Sequence, residues 1–167
     1  MPPKPLRHAF SMEYPGLVRE IVTEVIVAWP HRITTPHPEP QKFLCVWDTG
    51  ATTSAITPKA AESLRLIPTG KTDVRGAHGS QSVYTYLVDF IFPFGPGYHV
   101  SVQNVKVTAC DFSANDIQVL VGMNVIMLGD FSISNPKLKT VFSFCIPSHD
   151  TPVDLVEKTD RANRRKG

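Results

Sequence analysis

Asp48-Thr49-Gly50 follows the apolar run Phe43-Leu44-Cys45-Val46-Trp47 and leads into Ala51-Thr52-Thr53-Ser54-Ala55-Ile56. A carboxylate at the end of a buried strand, on a turn made by a small hydroxyl residue and a glycine, is costly to fold around. Burial disfavours its charged form and leaves its oxygens short of partners. Chains keep such an arrangement mainly where the carboxyl does chemistry; the bland alternative is an Asp-Gly turn that merely ends a strand. Acid–base work on a stable bond asks for two carboxyls in one site, an ionised one to take a proton and a protonated one to give it. Two carboxyls that close cannot both ionise, so they titrate as a unit. Only one Asp-Thr-Gly occurs here: Asp150-Thr151 runs into Pro152, and Asp130 precedes Phe131. A second carboxyl on a turn of the same kind is therefore absent from this one sequence.

The elements that would position this turn are short and mostly extended. Ile21, Val22, Thr23, Val25, Ile26 and Val27 are β-branched and stiff at χ1, so Leu17 to Trp29 reads as a strand although its apolar spacing also fits a helical stripe. A loop with prolines at 30, 36, 38 and 40 returns the chain as a strand over 41–47. A short strand over 54–56 follows the turn. Thr57-Pro58 then supplies an N-cap hydroxyl and a proline at the first helical position for a short helix ending near Leu66. Residues 71–75 and 81–92 form a hairpin whose tip, Gly76-Ala77-His78-Gly79-Ser80, carries two glycines. Strands are expected over 100–108 and 119–121, a helical turn or two over 124–128, and a strand pair over 131–134 and 140–146. Many short strands with turn residues between them indicate an all-β barrel or sandwich.

Length and composition fit this picture. The chain has 167 residues, 42% of them hydrophobic and 19% charged, with a net charge of +2. That reads as one globular domain of 17–148, a proline-rich leader of 1–16 and a basic, partly helical extension of 149–167. The charge is too small to argue for nucleic acid or a membrane surface as partner. Cys45, Cys110 and Cys145 cannot all pair and show no metal-ligand spacing, and His31 and His37 lack acidic or thiol partners, so no metal is expected. The first residues lack the apolar stretch of a signal peptide and no apolar run approaches membrane length, so a reducing cytoplasm is the expected compartment.

Asp48-Thr49-Gly50-Ala51-Thr52 resembles the active-site turn of the aspartic proteases, in their single-domain, retropepsin-like branch. Val119-Leu120-Val121-Gly122-Met123-Asn124 resembles the hydrophobic-hydrophobic-glycine strand that threads beside that turn. The glycine hairpin lies between the two motifs, where the family keeps its flap. Gly129-Asp130-Phe131-Ser132-Ile133-Ser134-Asn135 and Phe142-Ser143-Phe144-Cys145-Ile146-Pro147 are similar to the closing strands of bacterial members.

The resemblance implies a closed acid-protease barrel with a flap hairpin and one or two short helices. It implies a homodimeric endopeptidase that cleaves extended protein segments by carboxylate-activated water, with no cofactor or metal. Asp48 would be the general acid/base and Thr49 would bond its symmetry mate beneath the pair. Gly50 would meet the substrate main chain. Ala51, Gly76, Ala77, His78, Gly79, Leu120 and Gly122 would shape the substrate channel. The alternative is a peptide-binding or dimerisation module that keeps the fold without cleaving. Ala51 stands where acid-working relatives carry a hydroxyl that lowers the carboxyl's pKa, which implies an optimum in mildly acidic to near-neutral conditions. Thr52 and Met123 replace the Asp and Arg that pair near the interface of viral members.

Overall fold

The computed structural model describes residues 6–76, 79–95, 97–111 and 116–164. The β-branched run forms strand β2 (Ile21–Ala28), with alternate side chains buried, and the proline loop returns it antiparallel as β3 (Gln41–Trp47), Val25 facing Phe43. Trp29, at the head of that loop, stacks on His37 and donates its indole N–H to Leu64 O at 2.7 Å. After β4 (Ser54–Ile56), Thr57 caps α1 (Pro58–Ser63) by accepting the Ala60 N–H at 3.3 Å.

The hairpin strands run further than the sequence pattern indicates. β5 (Gly70–Gly76) and β6 (Gly79–Gly95) pair up to Gly76 and Gly79, and the expected tip residues Ala77 and His78 lie outside the described residues. β7 (Tyr98–Ala109) returns along β6, and β8 (Ile117–Val121) lies parallel to β3. The sheet order β2-β3-β8-β4-β7-β6 closes on itself because β2 also pairs with β6, Ile26 opposite Ile91, and β5 hangs from the outer edge of β6. Closure removes the free edges of the six strands.

A second, three-stranded sheet holds β1 (His8–Glu13), β10 (Val141–Ile146) and β9 (Asp130–Ser134), in that order, after the short helix α2 (Met123–Ile126). β1 lies within the stretch read as a leader. Its prolines flank residues 8–13 without interrupting them, and Phe10 packs edge-on against Phe94 and Phe142. The C-terminal helix α3 (Leu155–Arg164) starts three residues beyond Pro152, where Asp154 Oδ1 accepts the Val156 and Glu157 N–H groups.

Trp47 joins the two sheets. It is buried, with ring centroids 4.8 to 6.4 Å from Phe10, Phe92, Phe131, Phe142 and Phe144. Its indole N–H donates to Thr23 Oγ1 at 2.9 Å. An aromatic of this size, fully packed and with its polar atom satisfied, anchors the end of β3 one residue before Asp48.

Candidate active site

The turn continues the β3–β8 pairing by one bond, with Asp48 N–H donating to Val121 O at 3.0 Å. Asp48 then folds back on itself: Oδ1 accepts the Gly50 N–H at 2.8 Å, and the Asp48 carbonyl accepts the Ala51 N–H at 3.3 Å. This is the Asx-type turn that a short carboxylate followed by glycine makes readily. A Cβ on Gly50 would stand 3.1 Å from Asp48 Oδ1, so a larger residue would press on the carboxylate the turn orients. Asp48 is half-buried rather than enclosed within the single chain, and Thr49 and Gly50 are exposed. Among the described residues no ion pair reaches Asp48.

Gly122 sits directly against this turn. A Cβ there would lie 2.8 Å from Ala51 O and from Thr53 C, and 2.9 Å from Thr53 O, all backbone atoms. The absence of a side chain is what lets the two segments touch. Three further bonds bind them: Met123 N–H to Ala51 O at 2.8 Å, Asn124 N–H to Thr52 O at 3.2 Å, and Gly122 N–H to Ser54 Oγ at 3.0 Å.

Ser54 and Asn124 complete the clamp, and the spacing argument did not find them. Asn124 Oδ1 accepts both the N–H and the hydroxyl of Ser54 at 2.8 Å, while its amide nitrogen donates to Lys106 O at 3.1 Å. The clue was available, because Asn124 is the last residue of the glycine motif. A side-chain amide two residues after a close-packed glycine has backbone to satisfy.

The turn faces a cavity of about 710 Å³ whose lining includes Asp48, Gly50, Ala51, Leu120, Thr72 and Val74. β5 of the hairpin therefore forms one wall and the Asp48 turn the other. Gly79, at φ +109°, takes the left-handed conformation that glycine reaches without strain. Gly76 pairs with it across the hairpin. Thr49 does not line this cavity. It faces a second one of about 360 Å³ on the other flank of Asp48, together with Phe131 and Ile133 of β9. Deep in the barrel, Cys45 is fully enclosed and its thiol is pushed up to about 12 by that burial, so it is a packing residue.

A closed six-stranded barrel with a hairpin on its edge and few short helices is the retropepsin-like aspartic protease fold. The chain belongs to the aspartyl protease family, whose sequence profile matches residues 41–125. Among solved structures it is similar to a retropepsin-like aspartic protease from Rickettsia conorii, at 15% identity and a TM-score of 0.51 over 86% of this chain and 98% of that one. That likeness establishes the fold. A protease of simian foamy virus (mac) also aligns, at 16% identity and a TM-score of 0.38 over 62% of this chain and 91% of the viral one. No curated protein matches the chain. No described helix is long and apolar enough to cross a membrane.

Proposed function

We propose that the chain is an aspartic endopeptidase that works as a homodimer, each subunit contributing its Asp48 to one site. The observation that carries this reading is the aim of Asp48, which is held by Gly50 and opens on a cavity walled by the hairpin. The carboxylate is half-exposed in one chain, and a second chain across a twofold axis would enclose it.

The surface beside the turn supports such a partner. β9 is an edge strand of its sheet, with one ladder row unpaired among the described residues, and its Ile133 is 49% exposed beside Thr49. Met127, two residues before Gly129, is 70% exposed. An apolar edge of this kind is a template for pairing with another copy. With Thr52 and Met123 in place of a charged pair, apolar contact rather than an ion pair would hold the interface.

In the dimer one Asp48 is ionised and its mate protonated. The ionised carboxylate takes a proton from a water molecule, whose oxygen attacks the scissile carbonyl carbon while the other carboxyl protonates the carbonyl oxygen. One diol hydroxyl then gives its proton to the carboxylate left ionised as the C–N bond breaks, and the leaving nitrogen takes its proton from the carboxyl left protonated. Thr49 steadies the pair from below. The hairpin of β5 and β6 would lie over an extended peptide and pair with its main chain. Leu120 and Ala51 shape the channel floor, and Gly122, expected there too, supports the turn from behind instead. Substrates are proteins in extended segments, and three free thiols suit a reducing compartment such as the cytoplasm.

Asp48→Asn tests the reading against a peptide library. Loss of all cleavage with folding and dimerisation intact supports it. A native protein that binds peptides and cuts none would replace the enzyme with a peptide-binding module.

A further inference from the structure

Asp130 and Cys145 face each other across the β9–β10 ladder. The segment after β10 doubles back so that His149 reaches the same point. Its N–H donates to Asp130 Oδ2 at 2.9 Å and its ring Nδ1 lies 2.5 Å from that oxygen. Ser148 Oγ donates to the other carboxylate oxygen. One ligand-capable atom from each of Asp130, Cys145 and His149 lies within 4.8 Å of the other two.

We propose that Asp130, Cys145 and His149 form a binding site for a divalent cation of the zinc class. Thiolate, imidazole and carboxylate are the donors such an ion takes, and three protein ligands leave the fourth tetrahedral position for water. The three are graded in exposure. Cys145 is 8% exposed at the base, and the side chains of Asp130 and His149 are 35% and 56% exposed above it, so the ion enters from solvent and the water position faces out.

The two sheet ligands are held rigidly. A Cβ on Gly129 would fall 2.0 Å from Cys145 O, so the start of β9 is pressed against β10 at the site. Asp130 keeps the Ser148 hydroxyl as a supporting partner when it binds the ion. Ligands at about 2.0–2.3 Å from zinc stand roughly 3.3–3.8 Å apart. The exposed His149 ring therefore swings out by about 1 Å, and the ion takes the place of its short bond to Asp130. The Cys145 thiol releases its proton to water, as does the imidazole nitrogen where it carries one. The nearby Arg7 guanidinium is engaged with Ser148 O at 3.2 Å and the Asp150 carboxylate at 2.7 Å, so its charge is compensated.

Bound metal would clip the segment leading to α3 onto the sheet whose Phe131, next to Asp130, lines the cavity beside Asp48 and Thr49. The site stands independently of the proteolytic reading.

The test uses the full chain, stripped with EDTA and desalted, then titrated with zinc chloride by calorimetry and with cobalt chloride by absorption. The expected result is one zinc per chain, a tetrahedral cobalt spectrum with a thiolate charge-transfer band, and a Tm that rises with zinc. His149→Ala and Cys145→Ser should each weaken zinc binding by about 10- to 100-fold or more, and Cys110→Ser should not. No zinc uptake, equal uptake by His149→Ala, or a cobalt complex without the thiolate band would overturn the site. Should Cys145→Ser fail to fold, the exposed His149 variant decides.

Discussion

Replacing Gly122 with alanine isolates the close approach on which the site depends. Gly122 has φ −96° and ψ −173°, a conformation open to any residue. On backbone grounds alone, alanine there should therefore stabilise by about 0.4–1 kcal/mol, by restricting the unfolded chain. The space argues the other way. The new Cβ would stand 2.8 Å from Ala51 O and Thr53 C and 2.9 Å from Thr53 O, none of which can rotate aside as a side-chain tip would. Relief requires the Asp48 turn and the β8–α2 junction to part by several tenths of an ångström, against the bonds from Met123, Asn124 and Gly122. Overpacking of this kind costs about 1–3 kcal/mol. Less the backbone gain, about 1–2 kcal/mol remains, which for a domain of this size is a fall in Tm of about 2–8 °C. Calorimetric melts of Gly122→Ala beside Gly16→Ala, which meets nothing within 4 Å, supply the comparison. Cleavage should fall as well, because the displaced turn carries Asp48. A Gly122→Ala protein as stable as the parent, or more stable, would refute the reasoning.

Asn124→Ala should destabilise by about 1–3 kcal/mol, since it strands the buried Ser54 hydroxyl; urea melts of both singles and the Ser54→Ala double mutant should show a coupling above about 0.5 kcal/mol. Cys110 lines the cleft and is half-buried, whereas burial raises the thiols of Cys45 and Cys145. Maleimide should therefore label Cys110 first and block cleavage, and Cys110→Ser should be active and resistant. Mass spectrometry locates the label. With alanine at position 51 the pH–rate profile should peak in mildly acidic to near-neutral conditions, and Ala51→Thr should move its acidic limb downward. A parent profile peaking below about pH 3.5, near the range of pepsin's acid pair, would remove that inference.

What the sequence disclosed follows from which interactions are local. The β-branched residues of β2, the cap at Thr57 and the two glycines bounding the hairpin tip act within a few positions, so those elements were legible from residue types alone. The Asp48 turn was legible because carboxylate, hydroxyl and glycine sit side by side. β1 was obscured by surrounding prolines, and only its pairing with β10, far along the chain, reveals it as a strand. The Ser54–Asn124 clamp and the Asp130–Cys145–His149 cluster depend on cross-strand register, which no local spacing encodes. Asp48 was expected to be buried because the run before it is apolar. In the single chain that run ends at Trp47, and the carboxylate emerges between two cavities.

Mixing native chain with Asp48→Asn chain asks most directly whether one site is built from two subunits. The substituted chain is first shown to fold and self-associate, and subunits are then exchanged at a fixed total concentration while peptide cleavage is followed. If both carboxyls are required, only native–native pairs cut, and at equal mixing the rate falls to about a quarter of the native value. A rate that falls to about half, in simple proportion to the native fraction, would mean that each chain acts with its own Asp48 alone.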